Sequence, residues 1–70
     1  MERLIIKCEN AHTRNLIRDY IRNNNNIKIE VNIINNEIIV IGTEEAINNI
    51  YDKVDNALYM WKDLKASIYW

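Results

Sequence analysis

Three arginines, Arg14, Arg18 and Arg22, stand four residues apart, the charged pattern in this chain whose spacing could do chemistry. On a helix that spacing draws them into a line along one face, where like charges repel by roughly 0.2–0.5 kcal/mol per pair. Asp19 relieves the repulsion only in part. Such a line reads either as a solvated helix face or as a contact for an RNA backbone or an acidic partner surface. In the second case affinity would fall steeply with salt. No aromatic residue is interleaved on that face, which argues against base stacking there.

The other reactive side chains are sparse. Cys8 and His12 are the chain's only cysteine and histidine. A zinc site needs three or four ligands, and a thiol nucleophile needs an exposed, activated sulfur. Cys8 faces inward by alternation, so a core role is expected for it, and a surface position at a helix start for His12. The pair Glu44–Glu45 is explained by the preference of a helix N-terminus for negative charge. Gly42 stands alone, so there is no phosphate-cradling loop and no G-x-x-G loop of a KH-type RNA module. With no triad, metal cluster or phosphate loop, the chain is expected to be non-catalytic, without metal or cofactor. Function must then lie in surfaces.

Those surfaces are built by 70 residues, enough for one domain near the lower limit of what a single core can hold together. Residues 1–70 are accordingly read as a single α+β domain. A hydrophobic share of 49% with 27% charged residues is that of a globular chain rather than a disordered one. The net charge of −1 argues for neither nucleic acid nor membrane as an overall partner, although Arg3, Lys7, Arg14, Arg18 and Arg22 leave the first third net positive. No apolar run approaches the length of about 18 residues that a membrane helix needs, and no signal pattern opens the chain. A lone cysteine fits a reducing compartment, so a cytoplasmic location is expected.

Positioning falls to strands and helices that the periodicity makes visible. Leu4, Ile6 and Cys8 alternate with Arg3, Ile5 and Lys7, a half-buried strand over 3–8. Asn10 or Thr13 can cap a following helix whose stripe is Leu16, Ile17, Tyr20 and Ile21, and the run Asn23 to Asn26 stops it. Ile27, Ile29, Val31 and Ile33 alternate with polar residues as a second strand. Asn35-Asn36 makes a two-residue turn, and Glu37 to Ile41 returns as a third strand. That turn pairs Ile33 with Ile38 and Val31 with Val40. The order is β-α-β-β-α, with a three-stranded antiparallel sheet, the third strand central and both helices on one face.

The uncovered sheet face would carry Ile5, Ile34, Ile39 and Ile41. Each isoleucine left in water forgoes roughly 1.5–3 kcal/mol of burial. The closing helix adds a second clue. From Thr43 to Trp70 nothing interrupts it, and Ile47, Ile50, Val54, Ala57, Trp61, Leu64 and Ile68 recur at helical spacing, widened by Tyr51 and Leu58. At 1.5 Å per residue it would span about 40 Å and overhang strands of roughly 17–20 Å. Leu58, Tyr59, Met60, Trp61 and Leu64 on that overhang, with the four isoleucines, form the expected partner interface, since aromatics and Met are enriched in interface cores.

The element order, with Thr13-Arg14-Asn15-Leu16-Ile17, the hairpin into Glu37-Ile38-Ile39-Val40-Ile41 and the long closing helix, resembles the small Pcc-type subunit of the archaeal and eukaryotic KEOPS complex. The resemblance runs from Leu4 to about Leu64. It implies a small βαββα domain that dimerises with itself or with a second Pcc-type chain. It also implies docking to the catalytic subunit of a complex that makes threonylcarbamoyl-adenosine in tRNA. Where that family tends to show Leu-Arg, three residues, then Asn, this chain reads Ile50-Tyr51, three residues, then Asp55, so Tyr51 and Asp55 mark the docking positions. The expected function is therefore a non-catalytic dimerisation or scaffold subunit. The alternative is a small RNA-binding module using Arg14, Arg18 and Arg22.

Overall fold

Alternation and caps produce six elements: β1 (Glu2–Cys8), α1 (Ala11–Asn23), β2 (Glu30–Ile34), β3 (Glu37–Gly42), α2 (Glu44–Met60) and β4 (Ala66–Tyr69). The structure is a computed structural model that describes residues 1–24 and 27–70. The strands form one sheet in the order β2-β3-β1-β4, every neighbouring pair antiparallel. β1 and β2 are therefore parallel with β3 inserted between them, and β3 and β4 parallel with β1 inserted. This is the split β-α-β arrangement of ferredoxin-like domains.

The local chemistry of each element is plain. Asn10 is the N-cap of α1, its Oδ1 accepting from the Thr13 N–H at 2.9 Å, so Asn10 rather than Thr13 does the capping. Thr43 caps α2, its hydroxyl accepting from the Ala46 N–H at 3.2 Å, with Glu44 and Glu45 in the first turn. Asn35 has φ 54°, the left-handed region that asparagine tolerates, and lets β2 reverse into β3. The resulting register pairs Ile33 with Ile38 and Val31 with Val40, as the two-residue turn requires. At the other end of α1 the stop falls at Asn23 and the C-cap Asn24, while Asn25 and Asn26 lie outside the described residues.

Both helices lie on the same face of the sheet. Leu4, Ile6, Cys8, Ile38 and Val40 rise from it to meet Ile17 and Ile21 of α1 and Ile47, Ile50 and Val54 of α2. Gly42 belongs to this packing: a Cβ there would come within 3.2 Å of Ile29 Cγ2 and 3.4 Å of Ala46 Cβ.

Two expectations are corrected. The second strand begins at Glu30 rather than Ile27, because Glu30 already pairs with Ile41 and β3 ends one residue later in the turn to α2. More consequentially, the closing helix does not run to Trp70. It ends at Met60, Trp61 closing it with an N–H donated to Ala57 O at 2.7 Å. Leu64 N–H then donates to Trp61 O at 3.0 Å, and the chain turns back to lie along β1. The sheet thus has a fourth strand among the described residues, and the helix stops at Met60, short of the expected overhang. The physical reason lies in the free edge of β1, whose N–H and C=O groups need partners. As a strand, residues 66–69 supply them and set Ile68 beside Ile6 on the covered face. A continued helix would have carried Ile68 and Trp70 into water.

Candidate functional site

The face of the sheet opposite the helices is open, and the register fixes its contents. Its middle row runs Asn32, Ile39, Ile5, Tyr69 across β2, β3, β1 and β4. One flanking row is Glu30, Ile41, Arg3; the other is Ile34, Glu37, Lys7, Ser67. Ile5, Ile34, Ile39 and Ile41 therefore share one surface, as the alternation predicts. Ile34 is 56% exposed and Tyr69 52% exposed, while Ile5, Ile39 and Ile41 are half-buried only by one another and their neighbours. Lys7 Nζ lies 5.3 Å from the centre of the Tyr69 ring, a cation–π distance.

Tyr69 is a member of this face that sequence reasoning missed. Its signal was the alternation Ala66-Ser67-Ile68-Tyr69, which the helical period of Leu64 and Ile68 obscured. The ring of charges was also missed as a pattern. Glu30 and Glu37 stand on the β2–β3 half, Arg3 and Lys7 on β1. Among the described residues the ion pair present is Arg18–Asp19, and none of these four charges has an ion-pair partner.

The residues assigned to an overhang do not form one surface. Leu58 packs against the core with Ala66 and Ile68. Trp61 lies edge-on to Tyr20 with ring centres 5.1 Å apart, joining the end of α2 to α1. Met60, 76% exposed, and Leu64 border a shallow groove with Leu16, His12 and Trp61. Tyr59 instead faces the groove between α2 and β4, which Tyr51 and Asp55 also line. There the Tyr51 and Trp70 rings lie 6.1 Å apart, so Trp70 covers part of the surface around the proposed docking positions.

The arginine line is partly engaged. Arg14 donates to the turn carbonyl of Asn35 at 2.7 Å and to Asn15 Oδ1, tying α1 to the hairpin. Arg18 pairs with Asp19 at 3.1 Å, and Arg22 carries no side-chain hydrogen bond among the described residues. His12 is exposed in the first turn of α1. Cys8 is buried, and its burial pushes the thiol pKa up against a weaker lowering by Arg14. Among the described residues no three His, Cys, Asp or Glu side chains are grouped to hold a metal, and no helix is long and apolar enough to cross a membrane.

Fold and surface together define a ferredoxin-like α+β domain with an apolar sheet face open to contact. No family model, curated protein or solved structure matches the chain.

Proposed function

We propose that this chain is a non-catalytic assembly subunit that works by pairing its open sheet face with another protein surface. The observation that carries the reading is the contiguous block of Ile5, Ile34, Ile39, Ile41 and Tyr69 on one uncovered face. Large exposed apolar patches rimmed by polar groups mark interaction sites, because water is excluded from them at a gain in free energy. The single cysteine and histidine lie elsewhere and apart: Cys8 in the core, His12 at the start of α1. A Pcc-type role in a KEOPS-like complex is the specific form of this proposal. It rests on the order of the first five elements and on the hairpin and helix residues that carry the resemblance, whereas β4 is an addition to that pattern.

Light scattering and sedimentation on the purified chain test the general form. Self-association or stable capture of a Pcc-type partner is expected. Ile39→Asp or Ile41→Asp should abolish it, since burying an unpaired polar or charged group costs several kcal/mol, of order 2–7 even for a neutral one. Fully active assembly in both variants would sink the proposal.

A further inference from the structure

We propose that the groove between α2 and β4 binds a small organic cation, an alkylated ammonium held at Asp55 between the rings of Tyr51 and Tyr59. This goes beyond the assembly reading and does not rest on it, because the groove lies on the helix side of the sheet, away from the open face. Tyr51, Asp55 and Tyr59 are spaced by four on α2, so each stands about 6 Å along the axis from the next and all three line one side. Leu58 of α2, with Ala66 and Ile68 of β4, makes an apolar floor. The Trp70 ring lies 6.1 Å from that of Tyr51, tilted by 40°, and backs the wall at that end.

Charge complementarity selects the ligand. Among the described residues Asp55 is the charged side chain lining the groove, and it has no ion-pair partner. Asp52, three residues earlier, adds to the negative field. Lys53, the basic residue of α2, is turned away and donates to Asn24 O at the end of α1. The groove therefore attracts cations and repels anions. A carboxylate alone would serve any cation; the rings and the floor narrow the class. An aromatic face attracts a cation within about 6 Å of its centre, and more strongly a cation that sheds its water. A primary ammonium carries three N–H donors that need acceptors, and the aliphatic floor offers none. An ammonium whose hydrogens are replaced by methyl groups needs none, and its methyls pack on Leu58, Ala66 and Ile68.

The groove holds about 430 Å³, within the range of roughly 300–1,000 Å³ that suits a small molecule. Its rim is exposed at Asp55, Asn56 and Tyr59, so the ligand enters directly from solvent and stays partly hydrated. A dissociation constant on the order of a millimolar is expected for the ammonium head alone.

Titration of the full chain, followed by the NMR shifts of its amides and indoles, tests this with three matched alcohols. These are choline, its uncharged carbon isostere dimethylbutanol, and ethanolamine, which keeps the charge and loses the methyls. Choline should saturate and move the signals of Tyr51, Asp55, Tyr59 and Trp70. Each of the other two should bind at least about fivefold more weakly, the share of two ring contacts. Tyr59→Leu and Asp55→Asn replace exposed side chains and should leave the circular dichroism unchanged. Each should weaken choline at least about threefold, whereas Tyr59→Phe, which keeps the ring, should bind it as the wild type does. Equal binding of choline and dimethylbutanol would overturn the cation site and leave an apolar groove. Equal binding of choline and ethanolamine would overturn it too, leaving an exposed carboxylate without a part for the rings. Absence of any shift at about 20 mM choline removes the site altogether. The assembly reading is decided separately, by the effect of Ile39→Asp on association, and survives each of these failures.

Discussion

A thiol and a glycine show how single residues commit this fold. Cys8 is held on the covered face between Leu4 and Ile6 of its own strand and the helices above, and burial favours its neutral form. Below the ordinary thiol pKa both folded and unfolded chains keep the proton. Above it the unfolded chain loses the proton while the buried thiol retains it, so stability falls as pH rises. Urea denaturation should show wild-type stability falling relative to Cys8→Ala above about pH 8.5, with the curves parallel below that. At neutral pH the alanine variant should lose about 1 kcal/mol, the cost of a small cavity. A gap between the curves that stays constant through pH 10 would contradict the buried thiol. Gly42 works through space rather than conformation, since Ile29 and Ala46 close over it. Gly42→Val should destabilise by roughly 1–3 kcal/mol in the same measurement, through overpacking at the start of α2.

Among the elements, β4 changes the reading of the molecule most. It removes the free edge of β1, brings Tyr69 to the open face and puts Ile68 into the core layer. The two residues therefore separate folding from assembly. Ile68→Ala should cost roughly 1–2 kcal/mol of stability, part of the usual cost for a buried isoleucine because this one is half-buried. Tyr69→Ala should leave the thermal midpoint of the monomer nearly unchanged and weaken association. Equal effects of both substitutions on the monomer would place residues 66–69 outside the sheet. The hairpin register was legible because Asn35-Asn36 allows few geometries and the flanking alternation is strict. The four open-face isoleucines were legible for the same reason. β4 was not, because Leu64 and Ile68 continue the helical period of Ile47, Ile50, Val54 and Ala57, and four residues are too few for a period of two to outweigh it. Only the unpaired edge of β1 decides between them, and that edge exists once the sheet is assembled. Tyr59, Met60 and Trp61 were read as one interface because a straight helix would have kept them together. Tyr59 lines the groove between α2 and β4 while Met60 and Trp61 line the groove beside α1, because successive helix positions point about 100° apart.

At the scale of the whole molecule, size and surface are linked. A chain of 70 residues buries only about 60% of the surface its unfolded form exposes, which leaves little margin for an uncovered apolar face. Self-association through that face, one form of the proposed assembly, would add the missing burial and make stability depend on concentration. A tenfold rise in concentration adds about 1.4 kcal/mol to a dimer's apparent stability. With an unfolding entropy of about 2.1 cal/mol/K per residue, and two chains unfolding together, the midpoint should rise about 4–6 °C per tenfold once the dimer is populated. Calorimetry at two concentrations above the dissociation constant measures this directly. Ile39→Asp should remove the dependence and leave a lower, concentration-independent midpoint, because the introduced carboxylate stays hydrated on the open face of the monomer. High salt should lower the wild-type midpoint by screening the charges beside the apolar rows, and leave the shift per tenfold unchanged while the dimer stays populated. A midpoint independent of concentration in the wild type, with self-association still seen by sedimentation, would mean that the dimer forms through a surface that does not stabilise the fold.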